Sequence, residues 1–225
     1  METGSMLKQL ALVGASAVLF AGLPCKASVL TNNGYFNGYE IFHVISPDAE
    51  GDFGAGGFRG TFDPGGGPSL AYYFWCIELS QYFSPNTTYT DGYFAIDLGT
   101  GNKYSALFTL VGGSERALAN TETSAAFQLA VWDLRYDGGD GLGIGGFRVT
   151  AGDQNAINDA NAWLSILGSS GRFDVVKFYS RENQDFISDR NPPRQQVPEP
   201  STVPLVILAF SALAVAIRNR RRKYA

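Results

Sequence analysis

The chain has 225 residues, a formal net charge of -4, 45% hydrophobic side chains and only 17% charged ones, a composition that can bury a core and rules out wholesale disorder. Charge is segregated along it: residues 28–197 hold 19 of the 21 acidic side chains and 10 of the 17 basic ones, so this central body stands near -9. A surface of that sign repels phosphate backbones, which excludes DNA or RNA as a partner held by counterion release.

The first element is an address. Met6-Leu-Lys-Gln9, an apolar run over 10–23 and Pro24-Cys25-Lys26-Ala27 make a basic start, a short apolar core and a small-x-small exit. This is the pattern of a secretory signal peptide over 1–27, cleaved after Ala27. A lipoprotein acylated on Cys25 is the alternative, but that signal needs a small residue immediately before the cysteine, where Pro24 stands.

Between 28 and 190 short apolar runs alternate with Gly, Pro, Asn and Asp. The runs 39–45, 57–62, 70–79, 89–98, 103–111, 146–149 and 173–179 read as strands. Glycine-rich 54–67 reads as a mobile loop, although its Phe-Arg-Gly-Thr-Phe centre has strand composition. Two segments change period. Residues 123–136 follow an N-cap at Thr121 or Thr123, and 153–167 place Ala156, Ile157, Ala160, Leu164 and Leu167 on one face before Gly168, so both read as helices. The expected fold is mainly β, a β-sandwich or barrel carrying two short helices, as one extracellular domain over 28–190.

Several features resemble chemistry and have blander readings. Gly141-Leu-Gly-Ile-Gly-Gly146 matches a dinucleotide fingerprint by letter, yet it leads into a strand and not a helix, so a plain glycine loop is expected. Asp137 and Asp140 are weak candidates for Ca²⁺, since two carboxylates are few for such a site and a solvated turn explains them. His43 is the only histidine, so no zinc site and no second catalytic imidazole exists, and it reads as an outward strand residue. No cofactor is expected, and the chain is read as not being an enzyme.

Cys76 is the only cysteine left once the signal peptide is gone, so it has no internal disulfide partner in an oxidising compartment. Its apolar surroundings on both strand faces predict burial, and buried thiols are normally inert. Gln128 lies among Ala125, Val131 and Trp132 at helical spacing, which turns its amide toward an apolar face. Burying it unpaired would cost about 1–3 kcal/mol, so it needs a partner. Backbone hydrogen bonds from a strand would suffice; a covalent bond to Cys76 is the sharper alternative.

At the C-terminus, Val197-Pro198-Glu199-Pro200-Ser201-Thr202 ends a linker over 191–202 and precedes an uncharged run over 203–217 and the basic cluster Arg218-Asn-Arg-Arg-Arg-Lys223 in the tail 218–225. A helix of that length spans about 22 Å against a hydrocarbon core of about 30 Å, and the positive charge places the body outside the inner membrane. An ordinary tail anchor is one reading. The segment also resembles the PEP-CTERM sorting signal, with Pro198, Glu199 and Pro200 as its motif. That resemblance implies a Gram-negative bacterium, a transient inner-membrane intermediate, processing by an exosortase, and delivery to the cell surface or its exopolysaccharide matrix.

The body resembles the thioester domains of bacterial surface proteins at Trp75-Cys76-Ile77-Glu78 and Phe127-Gln128-Leu129-Ala130-Val131-Trp132, while Asn161-Ala-Trp-Leu164 and Gln184-Asp-Phe-Ile187 resemble segments of PEP-CTERM proteins that carry this helix. The resemblance implies that Cys76 acylates itself on Gln128 with loss of ammonia, leaving an internal thioester for a surface amine or hydroxyl; Glu78, two residues on from Cys76 and on the same face of the expected strand, is the candidate base, and Trp132 a further assisting residue. Glu78 stands where the family has Asp, and Phe127 where it has Thr. The expected function is a covalent adhesin of cell surface or biofilm matrix with an unknown surface or exopolysaccharide ligand. A structural matrix protein with a free thiol is the second reading, and an exopolysaccharide hydrolase the third.

Overall fold

The computed structural model describes residues 27–189 apart from positions 66 and 91. The signal-peptide residues up to Lys26, the PEP segment, the 203–217 helix and the basic tail lie outside the described residues. In chain order the elements are β1 (Val29–Tyr35), β2 (Glu40–Ile45), β3 (Glu50–Ala55), β4 (Phe58–Asp63), β5 (Leu70–Cys76), β6 (Thr87–Tyr89), β7 (Phe94–Gly99), α1 (Lys103–Val111), α2 (Ser114–Ala117), α3 (Thr121–Tyr136), β8 (Arg148–Ala151), α4 (Gln154–Ser165), β9 (Val175–Tyr179) and β10 (Phe186–Ser188). The fold is mainly β, as its composition predicts.

Seven strands form one antiparallel sheet in the order β6-β1-β4-β5-β10-β9-β7, and three form a second in the order β3-β2-β8. Alternation decides which face is inward: Phe58, Gly60 and Phe62 of β4 are buried, as are Tyr72 and Phe74 of β5, in keeping with a period of two. From Phe74 to Cys76 burial becomes continuous, because there helix α3 covers the face that would otherwise meet water.

Helix α3 is the axis of the molecule. Every residue from Ser124 to Leu134 is buried, the signature of a helix surrounded on all sides. It packs on β5, on β2 and β3 of the small sheet, and on α1, α2 and α4. Asn120 caps it, its side-chain oxygen accepting from the Thr123 N–H at 2.7 Å, one residue before Thr121 and three before Thr123, the two threonines expected for that role. The 153–167 expectation holds closely: Asp153 caps α4 through the Ala156 N–H at 2.8 Å, and Ala156, Ala160 and Leu164 are its buried face.

Four expectations need correction. Residues 103–111 form helix α1 and not a strand, so the described residues carry four helices and not two. The signals were local: Asn102 accepts from the Ser105 N–H at 2.9 Å, and Gly112 closes the helix in the left-handed region at φ 98°, the Asn-start and Gly-stop pair of an ordinary helix. The 54–67 segment is no mobile loop but holds β4. Its Gly60 is there for closeness, since a Cβ would lie 1.9 Å from the Thr31 carbonyl oxygen of β1. The 89–98 run is broken at Gly92, φ 91°, into the end of β6 and the start of β7. The 70–79 run ends as β5 at Cys76, which matters for the site.

Candidate functional site

The site is a vacancy in a ladder, filled by a side chain. In β5, Trp75 and Cys76 pair with Ile187 and Phe186 of β10 on one side, and the Ile77 N–H donates to the Asp185 carbonyl at 3.1 Å. Backbone groups alternate in direction along an antiparallel strand, so those of Cys76 face the other neighbour, β4. That strand starts at Phe58, opposite Phe74, and has no residue opposite Cys76. The chain is held off at Gly57, whose N–H donates to the Ser124 hydroxyl of α3 at 2.7 Å. A Cβ on Gly57 would stand 2.5 Å from Leu118 and 2.8 Å from Trp75, so only glycine makes this turn.

Gln128 occupies the empty place. Its Oε1 accepts from the Cys76 N–H at 2.9 Å, and its Nε2 donates to the Cys76 carbonyl at 2.7 Å. The carboxamide thus replaces a strand peptide, and a wholly buried amide is satisfied on both sides. The partner demanded by its apolar face exists and is the backbone of Cys76, the residue whose thiol the sequence pairs with it.

Cys76 is 6% exposed. Burial first, and the Glu78 charge second, hold its thiol well above the ordinary value, so the thiol keeps its proton at neutral pH. A cavity of about 390 Å³ adjoins it, lined among others by Tyr35, Cys76, Glu78, Trp132 and Gln184, with Tyr82, 80% exposed, at its rim. Trp132 stands between Phe53 and Phe147, with ring centroids at 6.5 and 6.3 Å, and its buried Nε1 meets no acceptor among the described residues. This is an indole at the cavity wall with one donor unused.

Glu78 lies beyond the end of β5, so the expected strand alternation placing it beside Cys76 does not operate. It reaches the same cavity while accepting from the Asp185 N–H at 3.2 Å. Burial chiefly raises its carboxyl pKa, opposed by the Asp185 N–H. Asp185 in turn bonds Lys177 at 2.6 Å and accepts from the Ser180 N–H at 2.8 Å. Gln184 donates to the Glu78 carbonyl at 3.0 Å, so the Gln184–Asp185 segment braces the chain just after Cys76.

The remaining sequence candidates fall elsewhere. His43 is a partly exposed β2 residue whose Nδ1 stands 2.7 Å from Asp52 across the β2–β3 pair. Gly141–Gly146 leads into strand β8, as expected, and three of its N–H groups bond side chains: Gly141 donates to Asp133 Oδ2 at 3.2 Å, Gly146 to Asp137 at 3.0 Å, and Leu142 to Asn161 at 2.9 Å. Asp137 and Asp140 come together with a third carboxylate, Asp133. Sequence reasoning missed Asp133 and Tyr35. Asp133 sits beside Trp132 in the core stripe of α3, and its charge there was the available signal. Tyr35, at the end of β1, carries none, and its phenol is raised by burial first and by Cys76 second.

Comparison with known proteins identifies the tail. Residues 196–222 match the PEP-CTERM protein-sorting motif, so the chain is an exported protein sorted by an exosortase to the cell surface. No curated protein matches the chain. Among solved structures, the N-terminal thioester domain of fibronectin-binding protein SfbI from Streptococcus pyogenes is similar at 13% identity, covering 76% of this chain and 96% of that one, with a TM-score of 0.41. A likeness that loose fixes neither fold nor chemistry, and the site stands on its own geometry. Among the described residues no helix is long and apolar enough to cross a membrane.

Proposed function

We propose that this exported protein is a covalent adhesin of the cell surface or extracellular matrix, and not an enzyme, in which Cys76 and Gln128 condense to an internal thioester. The observation that carries this reading is the reciprocal pairing of the Gln128 carboxamide with the backbone of Cys76 at a cavity wall. It fixes the acyl group against the residue that bears the nucleophile, and such preorganisation is worth about 7–11 kcal/mol of barrier in well-oriented intramolecular reactions.

The step balances within the site. The Cys76 thiol gives its proton to Glu78, whose raised carboxyl pKa makes it the stronger base, and sulfur attacks the Gln128 carbonyl carbon. Charge develops on Oε1, where the Cys76 N–H already donates at 2.9 Å, a distance suited to an oxyanion donor. Collapse breaks the C–N bond, the proton returns to nitrogen, and ammonia leaves. The thioester then acylates an amine or hydroxyl of the target surface, regenerating the thiol.

The second reading, a matrix or binding protein without chemistry, is favoured by the raised thiol pKa and by the fact that the same two hydrogen bonds satisfy Gln128 unaided. Intact mass separates the two. Protein recovered from cells should weigh one ammonia less than its sequence, gain the mass of methylamine on treatment, and resist thiol alkylation until treated. Cys76→Ala and Gln128→Ala should each abolish all three. Full sequence mass with rapid alkylation of Cys76 would leave the matrix reading.

A further inference from the structure

Negative charge accumulates at the C-terminal end of α3. Asp133 lies in its last turn, Asp137 is its C-cap residue and Asp140 follows, and one carboxylate oxygen of each lies within 4.8 Å of the others. The helix macrodipole is negative at the same end. Asp133 is wholly buried. Its Oδ2 accepts from the Gly141 N–H, which aims the carboxylate into the 137–141 turn, while Oδ1 meets no donor among the described residues. Burial first, then the charges of Asp140 and Asp137, push its pKa up to about 6, against the Gly141 N–H and Lys103. The Lys103 ammonium donates to the Gly138 carbonyl and leaves Oδ1 unmet.

The donor set is all oxygen, without imidazole or thiol, which selects hard cations. Asp137 already accepts from the Gly146 and Phe147 N–H groups, but a carboxylate has about four lone-pair sites, so it can organise the turn and ligate together. We propose that Asp133, Asp137 and Asp140 bind a Ca²⁺ ion that pins the end of α3 to the glycine-rich turn after it. Calcium tolerates the irregular, partly hydrated shell that one buried and one exposed carboxylate offer, whereas Mg²⁺ demands a near-ideal octahedron. The ion joins the turn to the helix that carries Gln128 and Trp132. An exported protein meets enough calcium to fill even a weak site.

The test is a calcium titration of the purified protein by calorimetry, with thermal unfolding and terbium luminescence sensitised by Trp132 and Tyr136. A Kd of about 10⁻⁴ to 10⁻³ M is expected, with Tm raised by about 3 °C in roughly 10 mM Ca²⁺. Asp140→Asn, on the exposed side, should weaken binding about tenfold. The site is overturned by an absence of heat and Tm shift at that concentration, by an equal response to Mg²⁺, or by an Asp140→Asn variant that keeps the wild-type affinity.

Discussion

The middle and the end of α3 treat a buried polar side chain in opposite ways. Gln128 and Asp133 lie little more than one turn apart, and both are 0% exposed. Gln128 has its acceptor and donor filled by one backbone residue of β5; Asp133 has one oxygen bonded and one orphaned. The first is neutral and complete, so it can be retained for packing or for chemistry. The second carries charge with no cation bonded to it, Lys103 acting only through space, a state that a protein keeps with help from a bound cation or a proton.

The largest effect should come from breaking the complete end. Gln128→Ala strips the Cys76 N–H and carbonyl of their partners and opens a cavity, and should cost about 3 kcal/mol by urea unfolding. Cys76→Ala leaves that amide pairing in place and should cost about 1 kcal/mol. Equal losses would mean that the pairing contributes nothing beyond the covalent bond.

Next comes the incomplete end, read through pH in chelator. The Asp133 carboxyl is raised to about 6 in the folded protein from 3.8, so between those values the folded state binds more protons than the unfolded one. Stability from this group therefore rises as pH falls from about 6 to 4 and is lost as pH rises through 6. Asp133→Asn should remove that slope and gain about 1 kcal/mol at pH 7; an unchanged slope would place the titration elsewhere. Smaller still, Ser124→Ala removes the acceptor that holds Gly57 away from β5 and should cost about 1 kcal/mol. If Gly57 positions the vacancy, this variant also slows thioester formation, which a time course of intact mass would show. His43→Ala loses an exposed pair with Asp52 and should change stability by less than about 0.5 kcal/mol.

Much of this was legible in the chain. The two core helices showed through spacing, and the need of Gln128 for a partner followed from its apolar neighbours alone. What stayed hidden was of two kinds. Residues 103–111 carry only Lys103, Ser105 and Thr109 as polar side chains, and continuous burial over Ser105–Phe108 leaves little period to read, so Asn102 and Gly112 were the clearest signs of a helix. Glycines were misread for a different reason: at Gly57 and Gly60 they serve close approach between elements distant in sequence, and nothing local distinguishes that from looseness. The strand vacancy opposite Cys76 is likewise a product of topology, since it depends on where β4 begins. Asp133 was passed over because an acid in a core stripe looks like a surface residue.

β10 has a mechanical consequence. It ends one residue before Asp189, which accepts from both the N–H and the hydroxyl of Ser114, and the sorting motif follows at 196. A pull on the tail therefore loads that clasp first and β10 second. Phe186 of β10 lies opposite Cys76, and in the proposed reaction the target ends on the Gln128 side chain of α3, so anchor and attachment point sit on elements that meet at β5. Force between anchor and attachment point therefore passes through the β10–β5 pairing and loads α3, the helix buried on every side.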